Sequence, residues 1–381
     1  MNINKLTTLF FMPVFFLGCG SETRLEKGDN IFSGNMQIIK NKSPDKLERT
    51  TVLGKGNLFF SPVKHLSVGT SDKLYVSEYI YSEVDSVVKI IDLEKEKIIG
   101  HLGAYGDGPD QILFSNGLHF SGENVSFLDD IKIRLNYWPS GNWDGVRYPI
   151  KEGRQFNASS GLIGDAAKFG DAVVTTLLED VDQSRPELAI SRLSQSNWVF
   201  IDSFPARTSQ RDAVPLDDRL RPSVYESVLC LSRKGDKFAL AYTYTDKIKF
   251  INSDFENERL LVGPDNFDPE FTTFQTPNGG VSKQPVKEVT KYGWLSVSSS
   301  DKYLYGLYSG KLISFEGQPD DYEANVGNII FKIDWMTGKI LNVFELSESR
   351  NYRIAVAPDD SILYVVSDEG DTHIDVYRME R

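Results

Sequence analysis

Cysteine and histidine are both scarce in this chain of 381 residues, which has two of the first and four of the second. With only Cys19 and Cys230 there is no disulfide framework to expect. Cys230 sits in the apolar run Val228–Leu231 and reads as a small buried hydrophobe rather than a nucleophile. Histidine is the commonest acid–base and metal-binding residue. With only His65, His101, His119 and His373 present, no metal centre, cofactor or catalytic residue is expected. Gly-x-Ser-x-Gly, His-Glu-x-x-His, Cys-x-x-Cys, the phosphate-binding Gly-x-x-x-x-Gly-Lys-Ser/Thr and the EF-hand loop are all missing. Positive charge is also in deficit: 42 Lys and Arg stand against 54 Asp and Glu, for a formal net charge of −12. Without a basic track, nucleic acid is not an expected partner. The same negative field disfavours peripheral contact with anionic lipid head groups. After the N-terminal leader there is no helix of amphipathic period, no coiled coil and no low-complexity tract.

The one concentrated apolar stretch lies at the start. Lys5 precedes Leu6–Leu17 (LTTLFFMPVFFL), which is too short to span a bilayer and is interrupted by Pro13. It ends in Phe16-Leu17-Gly18-Cys19, which resembles the bacterial lipobox, and then switches to the polar GSETRLEKGDN. Residues 1–18 are therefore expected to be a lipoprotein signal peptide and Cys19 the lipidated residue. Residues 19–33 would form a polar tether and 34–381 the folded domain. Two or more acyl chains at Cys19 suffice for stable anchoring. That implies a cell-envelope location, with the outer membrane favoured and its face open.

What fills the rest is a repeat. Two-residue turns recur at Asp72-Lys73, Gly122-Glu123, Gly170-Asp171, Gly235-Asp236, Asp301-Lys302 and Asp359-Asp360, each flanked by alternating strands rich in Val, Tyr, Phe and Leu. A repeat of this size carrying paired hairpins predicts an all-β protein: a six-bladed β-propeller of four-stranded antiparallel blades. The last blade runs into the C-terminus one strand short. A ring must close or expose two edges, so an N-terminal strand, Leu47–Leu53, is expected to complete the sheet holding Ile374–Tyr377. Such a domain is expected to be a monomer.

The segments Gly103–Gln111 (GAYGDGPDQ), Gly263–Phe271 (GPDNFDPEF), Lys302–Lys311 (KYLYGLYSGK) and Ile329–Trp335 (IIFKIDW) together resemble the TolB-like six-bladed propeller lipoproteins of Bacteroidota. That resemblance implies fold and location, and adds little mechanism.

Long connections carry function more often than short ones. Arg207–Val224 holds four arginines on an acidic protein, and Asp265–Pro285 holds three phenylalanines. From these and the segment after the fifth turn, Arg219, Arg221, Tyr305, Tyr308 and Lys311 are the candidate ligand contacts. Arginine forks beside tyrosine faces suit an acidic or hydroxyl-rich ligand. Alternation places Tyr303, Tyr305 and Leu307 on one sheet face, and Leu304 and Tyr308 on the other. His65 and His119 begin inner strands and can face the central channel, where Glu78 or Asp129 would be the carboxylates to join them. The reading favoured is a binding or scaffold lipoprotein for a protein, peptide or glycan. The alternative is a propeller hydrolase, lyase or metal-dependent lactonase with its site in the channel.

Overall fold

The computed structural model describes residues 43–53, 59, 63–69, 73–78, 87–109, 111–113, 115–121, 124–129, 134–139, 154–155, 163–177, 188–192, 198–201, 220–255, 258–277, 279–286, 289–313, 325–347, 350–368 and 372–379. The leader, Cys19, the tether and Arg219 lie outside them.

Strands β1 (Asp45–Leu47) and β2 (Arg49–Leu53) precede the first blade, which is made of β3 (Val63–Val68), β4 (Lys73–Glu78), β5 (Val88–Asp92) and β6 (Lys97–Leu102). A small parallel pair, β7 (Ala104–Tyr105) and β8 (Gln111–Ile112), crosses to the second. That blade holds β9 (Ser115–Ser121), β10 (Asn124–Asp129), β11 (Arg134–Pro139) and a two-residue β12 (Arg154–Gln155). The third comprises β13 (Ile163–Phe169), β14 (Ala172–Leu177), β15 (Leu188–Arg192) and β16 (Trp198–Ile201). A single-turn helix α1 (Arg221–Val224) leads into the fourth, with β17 (Ser227–Leu231), β18 (Lys237–Tyr242), β19 (Lys247–Asn252) and β20 (Glu258–Val262). A separate hairpin, β21 (Phe271–Gln275) with β22 (Val281–Pro285), follows it.

The next large sheet departs from the pattern. It contains β23 (Trp294–Ser299), β24 (Tyr303–Tyr308), β25 (Ile329–Asp334) and β26 (Ile340–Leu346), and β1 joins β26 in parallel as a fifth strand. The last blade sets β27 (Asn351–Val356), β28 (Ile362–Asp368) and β29 (Thr372–Arg378) beside β2, which pairs with β29 antiparallel.

The expected ring of six uniform four-stranded antiparallel blades is therefore corrected. Five sheets are four-stranded blades, one of them with a fourth strand of only two residues. The remaining large sheet is five-stranded and mixed. The expected single strand Leu47–Leu53 is two strands broken at Glu48. The chain crosses there from the outer edge of one sheet to that of the next, so each edge is covered by a different piece.

The second strand of a blade shows why the sheets stack. All six residues of β14 are buried, and in β4, β10, β18 and β24 only the first residue is not. A strand buried on both faces needs a sheet on each side. The core accordingly falls into clusters between neighbouring blades. Tyr305 and Leu307 face Ile354, Val365 and Tyr377 across one joint. Leu304 and Tyr308 face Ile248, Phe250 and Leu261 across the other.

Candidate functional site

The first strands of the sheets, β3, β9, β13, β17, β23 and β27, all contribute to a central cavity of about 240 Å³. Their entry ends carry the polar lining: His65, Asn116, His119, Asp165, Glu226 and Arg353. Local irregularity puts those side chains there. Pairing registers slip near the start of five of the six strands, at Val63/His65, Asn116/His119, Ile163/Asp165, Trp294/Ser296 and Asn351/Arg353. A bulge twists the strand and re-aims the next side chain, and His65, Asp165 and Arg353 each directly follow one.

Within this ring His119 Nε2 donates to Asp165 Oδ1 at 2.8 Å, and the Ala166 amide donates to the same oxygen at 2.8 Å. His65 Nε2 accepts the Gly117 amide at 3.1 Å, which leaves Nδ1 as the protonated nitrogen of the neutral ring. Part of the His65 ring faces the cavity, while the channel wall encloses the rest. Burial lowers its pKa well below the ordinary value, and the charges of Arg353, Lys64 and His119 add to the effect. Gly117 has φ +68°, and a Cβ there would lie 2.0 Å from Asp165 Oδ1 and 2.7 Å from His119 Nε2, so glycine is required. Asn116 Nδ2 donates to Gly164 O at 2.6 Å. Cys230 also lines the cavity, but burial pushes its thiol up to about 12, which removes it as a nucleophile.

Arginines occupy both ends. At the entry, Arg353 donates to the carbonyls of Lys64, Leu295 and Tyr352. At the far end, Arg233 reaches across the channel to the carbonyls of Ser299 at 2.9 Å, Val68 at 2.5 Å and Val356 at 3.5 Å, on three different sheets. A guanidinium fork thus ties three sheets together at that end of the channel.

The β21–β22 hairpin borders the cavity beside Glu226. Lys283 Nζ donates to Ser223 O of α1 at 2.5 Å, covers the Tyr244 and Phe271 rings, and lies 3.9 Å from Glu226 of the pocket wall. The stretch before the hairpin is strapped to the start of β19 residue by residue. Thr245 Oγ1 donates to Phe267 O, the Asp265 and Asn266 amides donate to Asp246 Oδ2, and Lys247 pairs with Asp268 at 2.5 Å with both side chains wholly buried.

Of the candidate contacts, Tyr305 and Tyr308 are buried on opposite faces of β24, with hydroxyls on Asp360 at 3.0 Å and Asp265 at 2.7 Å. Arg221 lies in α1 and Lys311 is exposed beyond β24. None of these four lines the cavity. His65 and His119 do, but the carboxylate beside them is Asp165. Glu78 instead pairs with Lys89 at 2.5 Å, and Asp129 accepts the Leu113 amide. Among the described residues, no group of three or more His, Cys, Asp or Glu side chains is placed to hold one metal ion.

Comparison with known proteins supports the architecture. A member of the DUF4221 family from Bacteroides vulgatus has a TM-score of 0.55 and 11% identity, covering 88% of this chain and 98% of that one. The fold is a β-propeller. The β-propeller domain of Cps50 (Swd1) from Myceliophteria thermophila, at 12% identity over 88% of this chain and all of that one, has a TM-score of 0.45 and carries no further argument. No family model and no curated protein matches the chain. The resemblance to TolB-like lipoproteins is corrected accordingly, since no family-level similarity accompanies the shared fold.

Proposed function

We propose that this propeller is a binding protein of the cell envelope, anchored by lipid at Cys19, which holds part of a glycan, peptide or envelope partner in its central channel. The observation that carries this reading is the convergence of His65, Asn116, His119, Asp165, Glu226 and Arg353 on one cavity, which Arg233 spans from the other end. A cavity of about 240 Å³ exceeds the ~150 Å³ that accepts a benzene ring and falls short of the ~300 Å³ typical of larger ligand sites. It suits one sugar unit or one amino-acid residue. Arg219, Arg221 and Lys311 are proposed as further contacts for a longer ligand.

The His119–Asp165 pair favours a second reading, in which an oriented imidazole acts as general base. Against it, the one thiol among the described wall residues is held protonated by burial.

Thermal denaturation in the presence of glucose, glucuronate, glucose 6-phosphate and the dipeptide Gly-Glu tests the binding reading. A ligand in the channel should raise the melting temperature of the native chain, and Arg353→Gln should abolish the rise. If none of the four raises it, or if the rise survives in the variant, the channel is not the site.

A further inference from the structure

We infer that the channel selects a zwitterion, a free amino acid whose ammonium is seated by His119 and Asp165 and whose carboxylate meets Arg353. This rests on the binding role proposed above and names the class of ligand.

The charges lining the cavity balance: Asp165 and Glu226 stand against Arg233 and Arg353. They do not balance by pairing with one another. Glu226 has Lys283 at 3.9 Å, and Arg233 feels the charge of Asp301, neither partner being part of the cavity lining. That leaves Asp165 and Arg353. Asp165 accepts only from the His119 ring and the Ala166 amide, and Arg353 donates only to backbone carbonyls. The two stand on opposite walls. β13 packs against β9 and β17, β27 packs against β3 and β23, and β9 meets β3 as β17 meets β23, so two first strands separate acid from guanidinium in either direction. An electrically balanced cavity with one charge on each side matches a ligand that is balanced and polarised the other way.

Both walls keep hydrogen-bonding capacity for such a ligand. His119 and Asp165 are each only 7% exposed, and Nε2 of the one is spent on Oδ1 of the other. Their second acceptors, His119 Nδ1 and Asp165 Oδ2, take no hydrogen bond among the described residues, yet neither is enclosed without a partner in the interior. Since both side chains line the cavity, those atoms open on it. Two adjacent acceptors, one of them anionic, suit an ammonium group, which has three donors and no acceptor. A hydroxyl would meet the geometry and leave the carboxylate charge unanswered. Across the cavity, Nε and Nη1 of Arg353 hold the carbonyls, and Nη2 is neither bonded among the described residues nor enclosed. It can donate to a carboxylate without releasing the strands.

Isothermal titration calorimetry of the folded chain at about pH 7.5 tests this. The probes are alanine, leucine and 4-aminobutanoate, each beside its deaminated acid and its decarboxylated amine, with glucose and glucuronate for comparison. At least one amino acid should bind about tenfold or more tightly than both of its own fragments. Asp165→Asn, which keeps an oxygen for His119 and the Ala166 amide, should erase the advantage over the deaminated acid. Arg353→Gln should erase the advantage over the amine. If glucose or glucuronate binds and no amino acid outbinds its fragments, or if the advantages survive in the folded variants, the inference is overturned and a binding channel remains. Absence of binding by every probe overturns both. The comparison in the parent chain decides the matter even where a variant fails to fold.

Discussion

A chain that begins at Gly54 should be less stable than one that begins at Ser43 by about 4 kcal/mol or more, and should aggregate. The missing segment carries β1 and β2, whose Leu47 and Leu53 are buried in two different inter-blade cores. At about 2 kcal/mol for each fully buried leucine, the apolar loss alone reaches that value. The segment also fastens both edges with polar contacts. Asn342 Nδ2 donates to Asp45 Oδ2 at 2.7 Å, Thr50 Oγ1 to Val376 O at 2.8 Å, and Arg49 pairs with Asp375 at 3.2 Å. Removing it frees the outer edges of β26 and β29, and open edges recruit other chains. Urea denaturation and light scattering on the two chains measure both effects. Equal midpoints with equal scattering would show that the ring does not depend on these strands.

The second large effect belongs to Asp268→Ala, expected to cost about 3–5 kcal/mol. The Lys247 ammonium and the Asp268 carboxylate are 2.5 Å apart with no solvent exposure on either side chain. Deleting the acid leaves a desolvated cation without that counter-charge. Replacing both residues by apolar ones, Lys247→Met with Asp268→Leu, should recover most of the loss, since a paired buried charge gains little over good packing. The pair also anchors the strap that delivers the β21–β22 hairpin to the channel entrance. Asp268→Ala should therefore weaken ligand binding as well as folding, and the double variant should weaken binding more than its stability suggests. Chemical denaturation of the three proteins checks the first claim. A single variant as stable as the parent would contradict it.

The recurrent hairpins and the stacking of blades were legible because period-2 alternation and acidic or glycine turns are local properties. His65 and His119 were legible as channel residues because both lie on first strands. Their partner was not. Asp165 comes into range only through the slip at Ile163/Asp165, and a bulge leaves no mark in the residue pattern. Glu78 and Asp129 looked suitable on spacing, yet both stand on second strands, whose partners are within their own blades. The tyrosines of β24 were read from their polar tips. Their rings are packed between sheets, and Asp360 and Asp265 satisfy the hydroxyls from 55 and 43 residues away in the chain. Arg353 and Arg233 gave no signal at all, because what distinguishes them, carbonyls gathered from several sheets, exists only in three dimensions. The parallel strand β1 was equally hidden, since three residues carry no period.

Histidine scarcity makes the central claim directly measurable. With only four histidines in the chain, each ring gives its own resolvable proton signals in a nuclear magnetic resonance spectrum. Two of them, His65 and His119, line the cavity, while His101 is exposed on β6 and His373 is buried in β29. Titration with glucuronate should shift the His65 and His119 signals along one saturable curve and leave His101 and His373 where they are. Unmoved His65 and His119 signals, or shifts of equal size at His101, would show that the channel is not where this propeller binds.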